Sequence, residues 1–504
     1  MTEAMDDGAP FYLRGVHAPV DEEVEAFDLP VEGAIPPELD GRFLRNGPNP
    51  ASGDPGHWFL GDGMLHGVRI EGGRARWYRN RWVRTRALTE GARWMQPDGR
   101  LDDTAGLANT HVVAHAGRIL ALVENGYPWE VDPDLGTIGV HDFGGRLEGP
   151  MTAHPKICAE TGEMHFFGYS FAPPYLRYHR IDADGRLAFS REIEIPRPVM
   201  MHDFAITRDF VIFMDLPLVF SLEAAARGGM PYAFDEAAGA RLGFLPRANP
   251  EASVVWVEVE PCYVFHPLNA WNEGGRVVLD VARYPELWRR SSRVFDQAML
   301  HRFEIDLAPA SGSPRVAESP LDDLPIEFPR VEESRTGLRH RFGYAAWTSL
   351  EHGIAGRGHV RYDLETGGRE IWDGGAALVA SEAVFVPAGP KASEEEGWLM
   401  GYVHDVERDE SAFAIWDATR LAKGPVARVA LPQRVPMGFH GSWIRRAGPE
   451  VGPSPRARHR RRSSPSRSRR AGRRAPRPGR RPRAGLRDAR GARSRAPSTA
   501  RARA

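Results

Sequence analysis

Apolar runs of about five to seven residues recur along the chain up to residue 444, separated by Gly, Pro, Asn and Asp, as in HVVAHAGRILALVENG, EMHFFGYSF, GRVVLDVARYP and EAVFVPAG. Runs this short, bounded by turn residues, predict strands, most of them buried on both faces. RYHRIDADGRLAFS and HVRYDLETGGREIW read as equivalent hairpins turning at DG and TG. Helical periodicity is scarce: LEAAARGGM at 222–230 is the clearest candidate and DEEVEAFD from residue 21 a weaker one. FVIFMDLPLVF at 210–220 is interrupted by Asp and Pro and is too short to cross a bilayer.

An all-β body of 444 residues is too large for one sandwich, and no Pro/Ser/Gly linker divides it. Radial repetition solves this: a seven-bladed β-propeller would give each blade about 63 residues, with insertions left over to build a loop and short-helix lid on one face. The expected organisation is a flexible N-terminus over 1–20, the propeller over 21–444 and a separate tail over 445–504.

Composition changes the picture mainly at that tail. The chain has 504 residues, 42% hydrophobic and 26% charged, with 53 Gly and 42 Pro, a turn-rich globular balance. Its formal charge of -1 hides an asymmetry. Residues 445–504 hold 22 Arg, no Lys, one Glu and one Asp, a net +20, which leaves -21 on the preceding 444. With almost no large apolar side chains the tail is expected to be disordered. A nucleic-acid-binding arm uses such a composition, but a frame-shifted reading of GC-rich DNA yields it too, so nucleic acid is not an expected partner and no function is built on the tail. The opening MTEAMDDGAP lacks the basic and apolar regions of a secretion signal, and a soluble cytoplasmic protein is expected.

Only Cys158 and Cys262 are available as thiols, so a metal would have to be held by histidine and carboxylate. Of 18 histidines, His154 (MTAHPK), His202 (MMHDF), His266 (CYVFHPLNAW) and His440 (PMGFHGSW) adjoin apolar or aromatic runs. A histidine buried there is disfavoured as a cation, so it is neutral and paired, or it binds a metal. For any one of them a satisfied core histidine is the default reading, and their spacings of 48, 64 and 174 residues fit no local motif. His57, His66, His111 and His115 read as structural or exposed, and the GDGM phrase between the first two as a tight turn.

An ordered set of phrases goes further. FLRNGPNP (43–50), HWFLGDGMLHGV (57–68), RWVRT (81–85), ALVENG (121–126), the four histidine phrases, IEFPR (326–330), SEAVFVP (381–387) and RVPMGFHGSW (434–443) together resemble the carotenoid cleavage oxygenase family, collinearly over roughly 20–444. The resemblance implies a seven-bladed propeller with one non-haem Fe(2+) on its axis, held by His154, His202, His266 and His440. It also implies carboxylates behind the imidazoles, Glu124, Glu327 and Glu382, pairing with His202, His266 and His440 in that order, with His154 lacking one. Four neutral imidazoles would leave two octahedral positions free for dioxygen chemistry.

Val123, Met200, Phe265 and Phe328 neighbour these residues and are expected to line an apolar substrate tunnel. Stilbene-cleaving members of the family place a lysine where this chain has Val123, so the resemblance favours a carotenoid or apocarotenoid, cleaved by O2 at a conjugated C=C bond into two carbonyl products. The alternatives are a stilbene or phenylpropanoid dioxygenase and a non-catalytic propeller scaffold. A hydrophobic tunnel rim would add peripheral membrane contact.

Overall fold

In the computed structural model, which describes residues 10–227, 229–308, 312–349 and 356–446, the apolar runs form antiparallel strands that divide into seven blades, three of them linked in one continuous thirteen-stranded sheet. Blade 1 is His111–His115, Arg118–Leu122, Trp129–Val131 and Thr137–Val140. Blade 2 is Lys156–Ile157, Met164–Tyr169, Leu176–Ile181 and Leu187–Glu192. Blade 3 is Ala205–Ile206, Phe210–Asp215, Ala240–Pro246 and Val255–Val259.

Blade 4 takes Tyr263–Glu273, Arg276–Tyr284, Met299–Asp306 and the first part of the long strand Arg315–Arg330. The far end of that strand opens blade 5, which continues through Phe342–Thr348, Gly356–Asp363 and Gly368–Asp373. Blade 6 is Val384–Pro387, Gly397–Asp405, Glu410–Asp417 and Pro425–Ala430, edged by Val31–Gly33. Blade 7 joins the two ends of the body: Gly441–Arg445 pairs antiparallel with Gly41–Pro48, followed outward by Gly63–Glu71, Arg74–Trp82 and Glu25–Phe27.

Blades stack face to face, so the middle strands are covered on both sides; Phe210–Asp215 is buried at every position but the first. Phe43 of blade 7, fully buried, packs its ring 5.2 Å from Phe413 and 5.3 Å from Tyr402 of blade 6. Burying one such side chain is worth about 1.5–3 kcal/mol. Gly63 is required for a different reason: a Cβ there would lie 2.2 Å from the Ala108 carbonyl oxygen, so the GDGM phrase is a close backbone approach between blades 7 and 1.

Both hairpin phrases form as expected, in blades 2 and 5. The helix candidate at 222–230 is a helix over Leu222–Arg227, set inside the hairpin Leu218–Phe220/Tyr232–Phe234 that projects from blade 3. The weaker candidate near residue 21 is not a helix: Glu25–Phe27 is the outer edge strand of blade 7, because pairing with Trp77–Arg79 outweighs the local preference of its acidic residues. Of the segment expected to be flexible over 1–20, residues 10–20 lie against the body, with Tyr12 buried and its hydroxyl donating to Asp54. The Arg-rich tail falls outside the described residues, apart from Arg445 and Arg446. Among the described residues no helix is long and apolar enough to cross a membrane.

Candidate metal centre

Irregular turns at the inner ends of the blades bring distant residues to the axis. His154 precedes the inner strand of blade 2, His202 that of blade 3, and His440 that of blade 7, while His266 lies within Tyr263–Glu273 of blade 4. One ring nitrogen from each lies within 4.8 Å of the other three, and all four residues are buried. The rings of His154 and His202 are 4.4 Å apart, and His440 lies 4.7 Å from both His154 and His266.

Three carboxylates stand behind this cluster. Glu124, in the turn after Arg118–Leu122, meets His202 Nδ1, and the Tyr169 hydroxyl donates to its other oxygen at 2.5 Å. Glu327, 2% exposed, accepts from His266 Nδ1 at 2.5 Å, from the Tyr284 hydroxyl at 2.9 Å and from the Phe328 N–H at 2.6 Å. Glu382 accepts from His440 Nδ1 at 2.9 Å, from the Gly441 N–H at 2.8 Å and from Arg330 Nε at 2.9 Å. His154 Nδ1 stays 3.9 Å from Asp203, too far for a hydrogen bond; Lys156 Nζ holds that carboxylate at 2.7 Å.

These contacts fix the tautomers. A carboxylate only accepts, so Nδ1 of His202, His266 and His440 carries a proton, and in the neutral rings that bind a metal each Nε2 presents a lone pair inward. His202 Nε2 and His266 Nε2 face one another at 3.1 Å, and His154 Nε2 is buried with no hydrogen-bond partner among the described residues. Lone pairs gathered in this way repel unless a positive centre lies among them. A cluster of imidazole donors, three of them backed by carboxylates, fits a divalent transition metal.

Burial is the first influence on protonation. It pushes His154 well below the usual histidine range, helped by its three histidine neighbours and Lys156. Burial also takes His440 down to about 3 against the pull of Glu382. At His266 burial is outweighed by the charge and hydrogen bond of Glu327, with Asp203 and Glu382 adding, and the net direction is upward. Burial opposes the charge on Glu382 too, but Arg330, His440 and His111 hold it well below the carboxylate range. Tyr169 and Tyr284, desolvated and bonded to carboxylates, stay protonated far above pH 10.

Three of the four imidazoles, His202, His266 and His440, border an apolar cavity of about 360 Å³ whose wall includes Phe59, Val123, Phe171, Phe265, Phe295 and Phe328. Phe328 has φ +54°, a left-handed conformation costing a side-chain-bearing residue about 1–2 kcal/mol. That turn stacks its ring on His266 at 5.5 Å and sets it edge-on to His440 at 5.4 Å. Met200, expected on this wall, is not there. It is 1% exposed in the core, its N–H donates to the Leu218 carbonyl and its own carbonyl accepts from the Tyr263 hydroxyl. Counting back two positions from His202 presumes a regular strand, whereas Val199–Met201 is folded back by a bond from the Met201 N–H to the Val199 carbonyl.

Sequence reasoning missed several participants. Arg330 was visible as the last residue of IEFPR and Asp203 as the neighbour of His202, whereas Tyr169 and Tyr284 sit in ordinary strands and carry no local signal. His57, His66 and His111 are buried; His57 Nε2 bonds to the Ser292 carbonyl and His66 Nδ1 to the Tyr78 hydroxyl.

The family described as Retinal pigment epithelial membrane protein matches residues 17–445. A carotenoid cleavage oxygenase of Mycobacterium tuberculosis is 40% identical over 86% of this chain and 97% of its own length. The carotenoid 9,10(9',10')-cleavage dioxygenase 1 of Arabidopsis thaliana is 38% identical over 86% and 89%. Among solved structures, the lignostilbene dioxygenase of Pseudomonas brassicacearum superposes with a TM-score of 0.77 at 27% identity, covering 86% of this chain and 99% of that one. With a matching stretch that runs from blade 7 round to blade 7 again and takes in all four histidines, the chain belongs to the Retinal pigment epithelial membrane protein family, that of the carotenoid cleavage oxygenases.

Proposed function

We propose that this chain is a non-haem Fe(2+) dioxygenase that uses O2 to cleave one conjugated C=C bond of a carotenoid or apocarotenoid into two carbonyl products. The observation that carries the reading is the four-histidine cluster, three of whose imidazoles border an aromatic-walled cavity. Bound iron would supply dioxygen activation, with His154, His202, His266 and His440 as its ligands. Glu124, Glu327 and Glu382 would orient three of those rings and raise their basicity.

The protein's own part is positioning. Aromatic walls at Phe59, Phe265 and Phe295 take up a polyene by area and shape, exclude water and offer little hydrogen-bond discrimination along it. The two carboxylates that line this cavity, Glu124 and Glu327, are already bonded to His202 and Tyr169, and to His266, Tyr284 and the Phe328 N–H, so neither is free to act as a general acid or base. Relatives named as carotenoid-cleaving enzymes support the substrate class. Likeness to the lignostilbene dioxygenase supports a second reading, a hydroxystilbene, against which stands the apolar Val123 in the cavity wall. Leu60 and Met95 line the cavity and are exposed, with the exposed Leu222 on the neighbouring helix, a rim suited to peripheral contact with a membrane.

The test is metal analysis of the purified protein together with incubation under 18O2 with apocarotenals, C40 carotenoids and a hydroxystilbene. The expected result is about one iron per chain and labelled aldehydes from a polyene. Stilbene cleavage alone would select the second reading, and a metal-free protein inert towards every substrate would leave a binding scaffold.

A further inference from the structure

A second cavity, about 430 Å³, meets the cluster from the side of His154. His266, His440 and Phe328 border both cavities, so the imidazoles separate an apolar chamber from one of mixed lining that carries several charged groups and is the more polar of the two. The polar chamber is bordered by Lys156, Asp203, Arg330, Glu333 and Glu382, with His111 on its wall.

Most of these charges are engaged. Lys156 is bound to Asp203, and Arg330 to Glu382 and the Gly441 carbonyl. Glu333 has no hydrogen bond or ion pair to its carboxylate among the described residues, although it is exposed to the chamber. Being exposed, it can be reached by a hydrated cation, and Arg330 is the attracting charge near it. His111 is 6% exposed and its Nδ1 lies 2.9 Å from the Ala153 carbonyl oxygen. A carbonyl only accepts, so the proton is on Nδ1 and Nε2 keeps a lone pair, buried and without a partner among the described residues. The His111 ring lies 5.2 Å from that of His440 and 6.2 Å from that of His154.

A divalent ion arrives in water as a hydrated dication. In the aromatic cavity the carboxylates, Glu124 and Glu327, are already bonded to histidine and tyrosine, so passage there would strip hydration with little to replace it, at a higher cost than a path that offers the unengaged Glu333. We propose that the polar chamber is the loading route of the metal, with Glu333 as the carboxylate that takes up the hydrated ion and His111 Nε2 as a transit donor on the way to His154. The inference rests on the four-histidine reading. It makes the two faces of the cluster different in kind, one admitting the ion and the other the substrate. Loading exchanges water ligands for imidazole nitrogens and involves no redox step.

The experiment is stopped-flow loading of the full-length, metal-stripped protein with Co(II), followed by its visible absorption. Glu333→Gln is expected to load about tenfold more slowly, the scale of electrostatic steering, and the difference is expected to shrink at high ionic strength. Ala114→Trp, at an exposed position on the polar chamber, is expected to slow loading as well, whereas Leu60→Trp at the other mouth is not. Both slow variants are expected to reach the wild-type cobalt content, which shows that fold and cluster are intact. Wild-type rates in Glu333→Gln and Ala114→Trp, or slowing in Leu60→Trp alone, would overturn the route. Wild-type protein that takes up no metal would overturn the four-histidine reading, and the route with it.

Discussion

Glu327 offers the sharpest separation between a carboxylate that serves the metal centre and one that merely fills space. Three donors converge on it, His266 Nδ1, the Tyr284 hydroxyl and the Phe328 N–H, at a site 2% exposed. Glu327→Gln keeps the shape. Its carbonyl oxygen can accept from His266 and Phe328, which share one oxygen in the native residue, while its amide faces the Tyr284 oxygen. The fold should therefore tolerate it, with a urea midpoint close to that of the parent. What it loses is the negative charge that makes His266 a stronger donor, and disruption of such a partner weakens metal affinity about 10–100-fold, or about 1.4–2.8 kcal/mol. Glu327→Ala instead strands all three buried donors at about 1–3 kcal/mol each and opens a void, so it should be destabilised by about 3–9 kcal/mol before metal is considered. Chelator competition measures the affinity, and urea unfolding of the metal-free proteins, followed by tryptophan fluorescence, measures the stability. Parental affinity in Glu327→Gln, or a metal-free Glu327→Ala as robust as the parent, would refute the reasoning.

His266→Ala should purify folded by far-UV circular dichroism but without metal; a fully loaded variant would remove His266 from the ligand set. Val123→Lys places an ammonium in the apolar wall and should cut polyene turnover by at least about tenfold, an expectation that unchanged kcat/KM would defeat. His359, buried among Trp372 and Trp416 with both ring nitrogens unpartnered among the described residues, is held by burial at about 3. Because the unfolded chain takes up this proton near pH 6.5 and the folded chain refuses it until about pH 3, the fold loses stability as the pH falls through that interval. Between pH 7 and pH 5 the loss from this one residue is about 2 kcal/mol, so His359→Phe should be less sensitive by that amount in urea titrations at the two pH values.

Turn chemistry and strand length made the blades legible, because each hairpin is a local event: DADG and ETGG close within a few residues of the strands they join. The edge strand Glu25–Phe27 was opaque because its identity depends on partners 50 to 54 residues away. At the centre, the histidines stood out by their apolar settings, but nothing in spacings of 48, 64 and 174 residues could unite them without the resemblance. Tyr284 and Arg330 show the limit from the other side. Their hydroxyl and guanidinium complete the carboxylate bonding across separations of 43 and 52 residues, which sequence neighbourhood does not reveal. Met200 failed because residue parity is a property of regular strands and the approach to His202 is bent.

The clasp in blade 7 has a temporal consequence. His440 immediately precedes Gly441–Arg445, the strand that zips against Gly41–Pro48, so the fourth imidazole and the seal of the ring are delivered by the same few residues. On the ribosome, a nascent polypeptide would display three of the imidazoles over the 174 residues between His266 and His440 without closing the cage around them. If the cluster binds a metal as proposed, a full donor set would be available only once the ring is sealed, and a chain cut short before that point is left both unsealed and without its fourth imidazole.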